Sequence, residues 1–432
     1  MLVASKLSAV GLLMAGAVFA APAAPTFYKD VLPVLQNNCQ SCHRPGEPGP
    51  MSFLDYKGTR PYAKAIKSAV LTHKMPPWPA DPHYGKFEND RHLSDADIKT
   101  LTAWADTGAA EGDAKDAPKP VAWVEGWTIG KPDLILQYPK AIDIPATGTI
   151  EYQYLVIPTG LTKDTWVTAA EIVPGQRSQV HHIIAFLRPP GSHYMEEAKP
   201  GIPFIPNKEN RTAGRTRGGA DDMPSELLVG FAPGMPADHS PEGAAKLVKA
   251  GSDIILQIHY TANGTASSDL SKIGLVFAKS EPQYRQLTIN AAQNKFAIPA
   301  GDPNYEVKSE ITLQDDSELV NLMPHMHLRG KDFLYKAVYP TGETSTLLSV
   351  PKYDFNWQLV YYFEKPLVLP KGTRIECTAH FDNSVNNPAN PDPTKEVKWG
   401  DQSWEEMMIG WFDVMIPAKN SPLSLYRSKT AE

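Results

Sequence analysis

Two cysteines and a histidine lie together near the N-terminus, in the pattern Cys39-Gln40-Ser41-Cys42-His43. The C-x-x-C-H spacing is that of covalent haem c attachment. One helical turn brings both thiols to the vinyl groups on one edge of a porphyrin, and the next imidazole can reach the iron. A dithiol redox pair does not need this histidine, and a zinc site would need a second ligand pair, although no further cysteine lies in this segment. The motif therefore predicts a haem c held by Cys39, Cys42 and His43.

A sixth iron ligand is expected from the chain between the helices that frame this motif. Met75 is the candidate, because a thioether immediately before Pro76 and Pro77 lies on a stiff loop. Methionine ligation also raises the haem potential. His73 and Met51 are the alternatives. Because a methionine without a haem more often packs in a core, this assignment depends on the haem.

The sequence around the motif has helical periodicity. Residues 26–38 predict an amphipathic helix that leads into the motif. Ser94 is the expected N-cap of a second helix, with Asp97 at the third helical position. Residues 25–113 therefore resemble a class I cytochrome c domain, and an all-α fold is expected for them.

Five histidines further along the chain, in three short motifs, could bind metal ions. His325 and His327 form an H-x-H, and residues i and i+2 of a strand point to one face, so these two can share a metal ion. His181 and His182 are adjacent and would face opposite ways on a regular strand, so their joint use needs a bulge or a twisted strand end. His259 lies in a third strand-like run. Each pair alone fits structural histidines equally well, but five in three motifs favour metal binding.

The pattern changes after a charged, proline-rich linker. Short apolar runs, such as 152–158 and Asp253–Tyr260, alternate with turns, which is typical of β-sandwiches. A weak internal repeat, with His181 in one copy and His325 in the other, supports two sandwiches and a boundary near residue 290. The expected divisions are a signal peptide at 1–20, a cytochrome c domain at 25–113, a linker at 114–127, and copper-binding sandwiches at 128–290 and 291–432.

The histidine motifs resemble, in type and order, those of the copper type II, ascorbate-dependent monooxygenases. That family includes the peptidylglycine α-hydroxylating and dopamine β-hydroxylating enzymes. The matching motifs are Val180-His181-His182, Gln257-Ile258-His259-Tyr260 and His325-Met326-His327. The resemblance spans about residues 128–415 and implies two jelly-roll-like sandwiches, with one copper ion in each, across a solvent-filled cleft. The expected fold class is therefore multidomain: an all-α cytochrome c domain followed by two all-β jelly-roll-like sandwiches.

The resemblance also implies which side chains bind the two copper ions. The ligands of an electron-transfer copper would be His181, His182 and His259. Those of an oxygen-activating copper would be His325, His327 and a methionine near the C-terminus. In the run WEEMM at 404–408, Met407 fits this role better than Met408. A thioether selects soft Cu(I) and disfavours zinc at the second site, whereas three imidazoles alone could equally hold zinc.

Several positions depart from the best-known members of that family. Those enzymes are rich in disulfides, whereas Cys377 is alone in the β region and is expected to be a buried, inert strand residue. Peptide-amidating members have an arginine two residues before the H-x-H, where this chain has Met323. They have a tyrosine four residues after the methionine ligand, where this chain has Trp411. A peptide ending in glycine is therefore a poor substrate, and a more apolar cleft is expected.

The composition and the N-terminus limit where the protein acts and what it binds. With 432 residues, 42% hydrophobic and 21% charged, the chain is ordinary for globular proteins, and a net charge of −6 without a basic stripe argues against nucleic acid as a partner. Lys6, an apolar run at 7–20 and the sequence VFA at 18–20 predict a signal peptide cleaved after Ala20. Because the run is shorter than the ~20 residues of a spanning helix, no membrane span is expected. The mature protein is expected to be periplasmic or secreted.

These features together predict an exported haem c–dicopper monooxygenase. Electrons would pass from the haem through the three-histidine copper to the copper that binds O2, which would hydroxylate a small, apolar substrate. A periplasmic protein is a possible electron donor. Two alternatives stay open: a non-catalytic copper and haem electron carrier, and a copper enzyme acting on a small nitrogen species.

Overall fold

The fold is taken from a computed structural model. It describes residues 24–124, 126–196, 198–206 and 226–426, and the predicted signal peptide at 1–20 lies outside them. Within these ranges, no helix combines the length and the apolar character that crossing a membrane requires.

Short helices occupy the N-terminal part of the chain. They are α1 (Leu32–Asn38), α2 (Tyr56–Thr59), α3 (Ala63–Leu71) and α4 (Asp95–Asp106), with a π-helical turn at Phe27–Val31 before α1. Single 3₁₀ turns occupy Arg60–Tyr62, Ala114–Asp116 and Pro422–Leu425. Helix α4 begins as predicted, because the Ser94 hydroxyl accepts a hydrogen bond from the Asp97 N–H (3.1 Å). The helices bury Leu101 and Trp104 against α1 and the π-helical turn.

Strands form the rest of the regular structure. Those of the first half are β1 (Leu134–Gln137), β2 (Ile142–Ile144), β3 (Gln153–Pro158), β4 (Thr165–Val173), β5 (Val180–Arg188), β6 (Glu226–Phe231), β7 (Asp238–His239), β8 (Ala244–Val248), β9 (Asp253–Tyr260), β10 (Ser267–Asp269) and β11 (Lys272–Phe277). Those of the second half are β12 (Tyr284–Gln293), β13 (Ala297–Ile298), β14 (Tyr305–Thr312), β15 (Ser317–His325), β16 (Gly330–Val338), β17 (Thr344–Val350), β18 (Tyr361–Leu369), β19 (Arg374–Phe381), β20 (Val397–Lys398) and β21 (Met408–Pro417).

One long sheet runs through both halves in the order β1-β11-β4-β8-β12-β21-β15-β18, and β7 pairs with β4. Its two halves join where β8 and β12 lie parallel, with Ala244 opposite Tyr284. A four-stranded sheet, β3-β9-β5-β6, packs on the first half, and another, β14-β19-β16-β17, packs on the second. The molecule therefore contains two β-sandwiches that share one sheet.

Each sandwich has its own apolar core, built by the alternation of strand side chains. In β19, every second residue is buried, from Ile375 to Phe381, as expected for a strand with one face in a core. Strand β9 is buried on both faces. Its residues Ile254, Leu256 and Ile258 enter the first core. The opposite face of β9, which carries His259, is thereby directed away from that core.

The predicted fold class, with an all-α cytochrome c domain before two all-β jelly-roll-like sandwiches, is wrong. Strands hold 36% of the structure and the short helices 12%, and an all-α cytochrome c domain is not seen among the residues that the structure describes. Part of residues 25–113 instead packs into the β structure. Trp78, Ala80 and Phe87 are buried in the core of the second sandwich, and Phe87 forms an isolated bridge with Phe363 in β18. The helical periodicity of the sequence indicates local structure only. It does not show that the segment after α3 packs the rings of Trp78 and Phe87 against a sheet.

Candidate metal centre and adjoining cavity

Three histidines from two paired strands form one cluster in the first sandwich. His182 on β5 lies opposite His259 on β9, and the register shifts between Val180 and His182. This irregularity is the bulge that joint use of His181 and His182 requires, and it brings both rings to the same region. One ring nitrogen from each of the three histidines lies within 4.8 Å of the other two. The arrangement suits a three-imidazole metal site.

His181 Nδ1 and His182 Nδ1 lie 3.2 Å apart, and one nitrogen in each of the three rings lacks a hydrogen-bond partner among the described residues. His181 Nε2, His182 Nε2 and His259 Nδ1 are buried, with no hydrogen-bond partner among the described residues. Burial lowers the pKa of His181 to about 4. Burial, followed by the neighbouring histidines, lowers the pKa values of His182 and His259 well below the usual range. All three imidazoles are therefore neutral near pH 7, the form that binds metal ions.

The H-x-H motif lies at the end of β15 in the second sandwich. The rings of His325 and His327 are 5.2 Å apart between centroids and nearly perpendicular. The Nδ1–H of His325 donates to Gln358 Oε1 (2.7 Å), and that of His327 donates to the Glu405 carbonyl (3.1 Å). In the neutral form of each ring, Nε2 is therefore the unprotonated nitrogen. His327 Nε2 is buried without a hydrogen-bond partner in the described part of the chain.

The two candidate methionines point in opposite directions. Met408 begins β21 and is buried in the core of the second sandwich, where its sulfur accepts a hydrogen bond from Ser309 (3.2 Å). Met407, one residue earlier, lines the same cavity as His325 and Trp411. Strand alternation explains the difference, because successive residues face opposite sides of the sheet.

Aromatic rings lie between the two histidine sets, where the family resemblance implied a solvent-filled cleft. The ring centroid of Tyr152 lies 4.4 Å from that of His259 and 6.4 Å from that of His327. Phe355 stacks on His181 at 4.8 Å and lies 5.9 Å from His327. Both sets thus belong to one buried cluster at the contact of the two sandwiches.

A cavity of about 70 Å³ lies between the sandwiches, next to this cluster. His182 contributes to its wall from the first sandwich, and His325 and Met407 contribute from the second. Most of the other lining side chains are aliphatic or aromatic, and they include Met323 and Trp411. These are the two positions from which the sequence predicted an apolar cleft.

Charged groups that also line the cavity satisfy one another. Lys246 on β8 donates to Asp238 (2.7 Å) and lies 3.6 Å from Asp413 on β21. Asp413 also accepts hydrogen bonds from Gln286 (2.6 Å) and Asn321 (3.1 Å). Burial acts to lower the pKa of Lys246, but the two carboxylates outweigh it and raise the pKa. This network joins the two sandwiches without needing a ligand.

The C-x-x-C-H motif forms a tight turn after α1. The N–H groups of Cys42 (3.1 Å) and His43 (2.9 Å) both donate to the Cys39 carbonyl, and the thiols of both cysteines are free. The Nδ1–H of His43 donates to the Met51 carbonyl (3.3 Å), which leaves Nε2 as the unprotonated nitrogen. A Cβ at Gly49 would lie 2.6 Å from the Cys42 carbonyl oxygen, so only glycine fits beside the turn. The turn therefore holds the backbone of Cys39, Cys42 and His43 together, and haem attachment at these residues stays a prediction.

Met75 lies apart from this turn in sequence and is half-buried, four residues after the end of α3. Its N–H bonds the Ala69 carbonyl (3.3 Å). Met51 packs against the helical core with Cys39. The choice of Met75 as the sixth haem ligand stays a prediction.

Asn89 and Arg91, in the segment after α3, connect the N-terminal helices to the wall of the cavity. Asn89 donates to the Val360 carbonyl (2.7 Å) and accepts from the Tyr362 N–H (3.1 Å). The Arg91 guanidinium bonds the Gly234 carbonyl in the first sandwich. Because Val360 and Tyr362 line the cavity, this segment holds one side of it in place.

A second contact lies beside the C-x-x-C-H turn. Glu47 forms an ion pair with Arg177 (3.4 Å), and Arg177 precedes His181 by four residues in the chain. The Arg177 guanidinium lies 5.8 Å from the ring centroid of Phe231, which lines the cavity with His182. The turn is therefore linked to the histidine cluster by a short series of packed side chains.

Sequence patterns did not identify four residues of the site. Tyr152, Phe355 and Gln358 lie in segments between strands and reach the site only through tertiary contacts, which no local motif indicates. Glu406 directly precedes Met407 in the sequence, and this adjacency is the local signal that could have identified it. It is fully buried; burial acts to raise its pKa, while the backbone N–H groups of Arg329 and His327, which donate to its two oxygens, act to lower it and favour the ionised carboxylate.

Comparisons with known proteins leave the chain without an assigned relative. No family model matches it, and no curated protein matches it. The infectious bursal disease virus VP2 subviral particle is similar at 13% identity over 64% of this chain, with a TM-score of 0.20, and the chain spans 58% of that protein. The CBM22-1–CBM22-2 tandem domain of a Paenibacillus barcinonensis protein has 8% identity over 68% of this chain and 95% of its own, with a TM-score of 0.14. Neither similarity is close enough to indicate a function.

Proposed function

We propose that this protein is an exported monooxygenase that uses two copper ions and a covalently bound haem c. One observation carries the proposal. Buried, neutral histidines from two sandwiches direct unpartnered ring nitrogens into one cluster, and this cluster adjoins an apolar cavity at Met407. Structural histidines of a core would have hydrogen-bond partners for these nitrogens.

Two donor sets fit copper. The first would consist of His181, His182 and His259. The second would consist of His325, His327 and Met407. Imidazole suits copper in both oxidation states, and a thioether favours Cu(I) over zinc. Copper bound in these sets would supply one-electron transfer at the first and O2 activation at the second.

Residues around the second donor set would hold its histidine side chains in place and keep water out of the cavity. Gln358 and the Glu405 carbonyl fix the rings of His325 and His327 through their Nδ1 atoms. The apolar wall, with Met323 and Trp411, would hold a small, uncharged substrate against His325 and Met407. The overall reaction would consume a C–H bond, O2, two electrons and two protons, and would yield an alcohol and water.

The haem would supply the electrons. Cys39 and Cys42 would hold it covalently and His43 would bind its iron, because the turn places these groups together and leaves His43 Nε2 available. The contact of Glu47 with Arg177 places this turn near the histidine cluster. A periplasmic protein would reduce the haem. An electron carrier without catalysis would need no apolar cavity beside Met407, so the cavity favours an enzyme.

Oxygen incorporation tests the proposal. The protein, loaded with copper and haem, is reduced without oxygen and then mixed with ¹⁸O2 and a panel of small apolar compounds. We expect substrate-dependent oxygen uptake and ¹⁸O in an alcohol product. Rapid electron exchange without any product would indicate a non-catalytic electron carrier. Turnover of a small nitrogen species without O2 would indicate a copper enzyme that acts on such species instead of a monooxygenase.

A further inference from the structure

We propose that Glu406 is a positioning residue that sets His327 and Met407 at the distance a shared copper ion requires. The inference rests on the proposed function, because it concerns the second donor set. The juxtaposition that supports it is a fully buried carboxylate, bonded to the backbone of the H-x-H segment and directly preceding the methionine.

The carboxylate joins two segments of the second sandwich. One oxygen accepts the N–H of His327 (3.0 Å), and the other accepts the N–H of Arg329 (2.7 Å). The backbone of Glu406 is itself fixed, because it bonds the Lys398 carbonyl and the Gly400 N–H at 3.1 Å each. We call residues 404–407 the strip. The Glu406 side chain therefore extends from this fixed strip and holds the turn after β15.

A carboxylate is needed here because both of its oxygens are acceptors. A glutamine in the same place has one oxygen, and its amide nitrogen would face a backbone N–H, donor against donor. The negative charge is balanced by the buried Arg329 guanidinium, 3.9 Å away. That guanidinium also donates to Asn383 (2.8 Å) and to the Trp404 carbonyl (2.9 Å), so it holds the strip that ends at Met407.

His327 depends on this strip more than His325 does. Strand β15 ends at His325, which pairs with Ile409 of β21 and is therefore placed by the sheet. His327 lies beyond the strand, and the strip holds it at two points: Glu406 bonds its N–H, and the Glu405 carbonyl bonds its ring. The ring of His327 and the sulfur of Met407 thus share one anchor.

Glu406→Gln tests this role through copper binding rather than activity. Full-length protein is titrated with Cu(I) in competition with a chromophoric chelator, and X-ray absorption of the loaded protein reports the copper–sulfur contact. We expect wild type to bind two copper ions with a sulfur ligand at one of them. In Glu406→Gln, the second ion should bind about 10- to 100-fold more weakly and lose its sulfur signal, while the first binds as in wild type.

Two further variants make the result decisive. Glu226→Gln is the matched control, because it neutralises a largely buried carboxylate that pairs with Arg285 (3.1 Å) away from the histidines. It should bind both ions as wild type does. Glu406→Asp keeps the charge but is one methylene too short to reach both N–H groups, and it replaces Glu406→Gln if that variant does not fold.

The outcomes separate the two proposals. Wild-type affinity and an unchanged sulfur signal in a folded Glu406 variant overturn the positioning role alone. Equal weakening by Glu226→Gln also overturns it, because the effect would then follow from any buried charge. Fewer than two copper ions in the wild-type protein overturn the proposed function, and this inference with it.

Discussion

At the scale of single residues, the direction of each side chain decides which of several similar residues can reach the site. Met407 and Met408 are neighbours of one type, yet only Met407 lines the cavity, and Met408 packs in a core. The sequence could rank the two only through a family resemblance. Strand alternation in the folded chain supplies the physical reason.

A pair of variants tests this difference. Met407→His replaces a soft ligand with an imidazole, so copper should stay bound while product formation falls by about 100-fold. Met408→Leu changes core packing away from the cavity and removes one hydrogen bond from Ser309, which also donates to the Ala291 carbonyl. A swap of similar volume costs less than about 1.5 kcal/mol, and activity should persist. Parallel assays of copper content and product check both. Full activity in Met407→His would remove that residue from the active site.

The haem prediction also belongs to this scale, since it depends on two thiols and one imidazole. Protein made in a host that matures c-type haem should keep its haem through denaturation and acid–organic extraction. Cys42→Ala should lose the haem or hold it by a single bond. Haem that extracts freely from wild type would contradict covalent attachment at Cys39 and Cys42.

At the scale of elements, strand periodicity predicted the β-sandwiches, and His181, His182 and His325 lie on strands as expected, whereas His327 lies just beyond the end of β15. The pairing of these strands could not be predicted, because contacts such as β8 with β12 join segments distant in sequence. The site depends on that pairing, since Tyr152 and Phe355 come between the histidines only when the two sandwiches meet.

The buried ion pairs between the sandwiches should stabilise this contact. Lys246→Met leaves Asp238 and Asp413 buried without their cation, which should lower the free energy of unfolding by about 3–5 kcal/mol. Lys249→Met is the control, because its pair with Asp164 is exposed and should contribute less than about 1 kcal/mol. Denaturant unfolding measures both values. Equal effects of the two variants would contradict a stabilising role for the buried network.

At the scale of the whole molecule, the N-terminal part is attached to the β structure. Local helical signals at residues 26–38 and Ser94 predicted helices correctly, but they predicted an independent all-α domain wrongly. No short-range pattern shows that Trp78 and Phe87 are buried under β18. The result is a molecule in which the C-x-x-C-H turn is held near the cavity.

Phe87→Ala tests this attachment. It should lower the free energy of unfolding of the β structure by about 3–5 kcal/mol, because it leaves a void in the core of the second sandwich. Leu71→Ala, at a side chain that is 52% exposed, should have little effect. Denaturant unfolding followed by a β-sheet signal measures both. An unchanged β transition in Phe87→Ala would show that the two parts fold independently.

The number of copper ions bound per chain tests the central claim most directly. Full-length protein is equilibrated with equal amounts of copper and zinc, dialysed, and assayed by elemental analysis beside His259→Ala. We expect two copper ions in wild type and one in the variant, because His259 belongs to only one donor set. Two ions in His259→Ala, loss of both from a folded variant, or zinc in both wild-type sites would contradict the account.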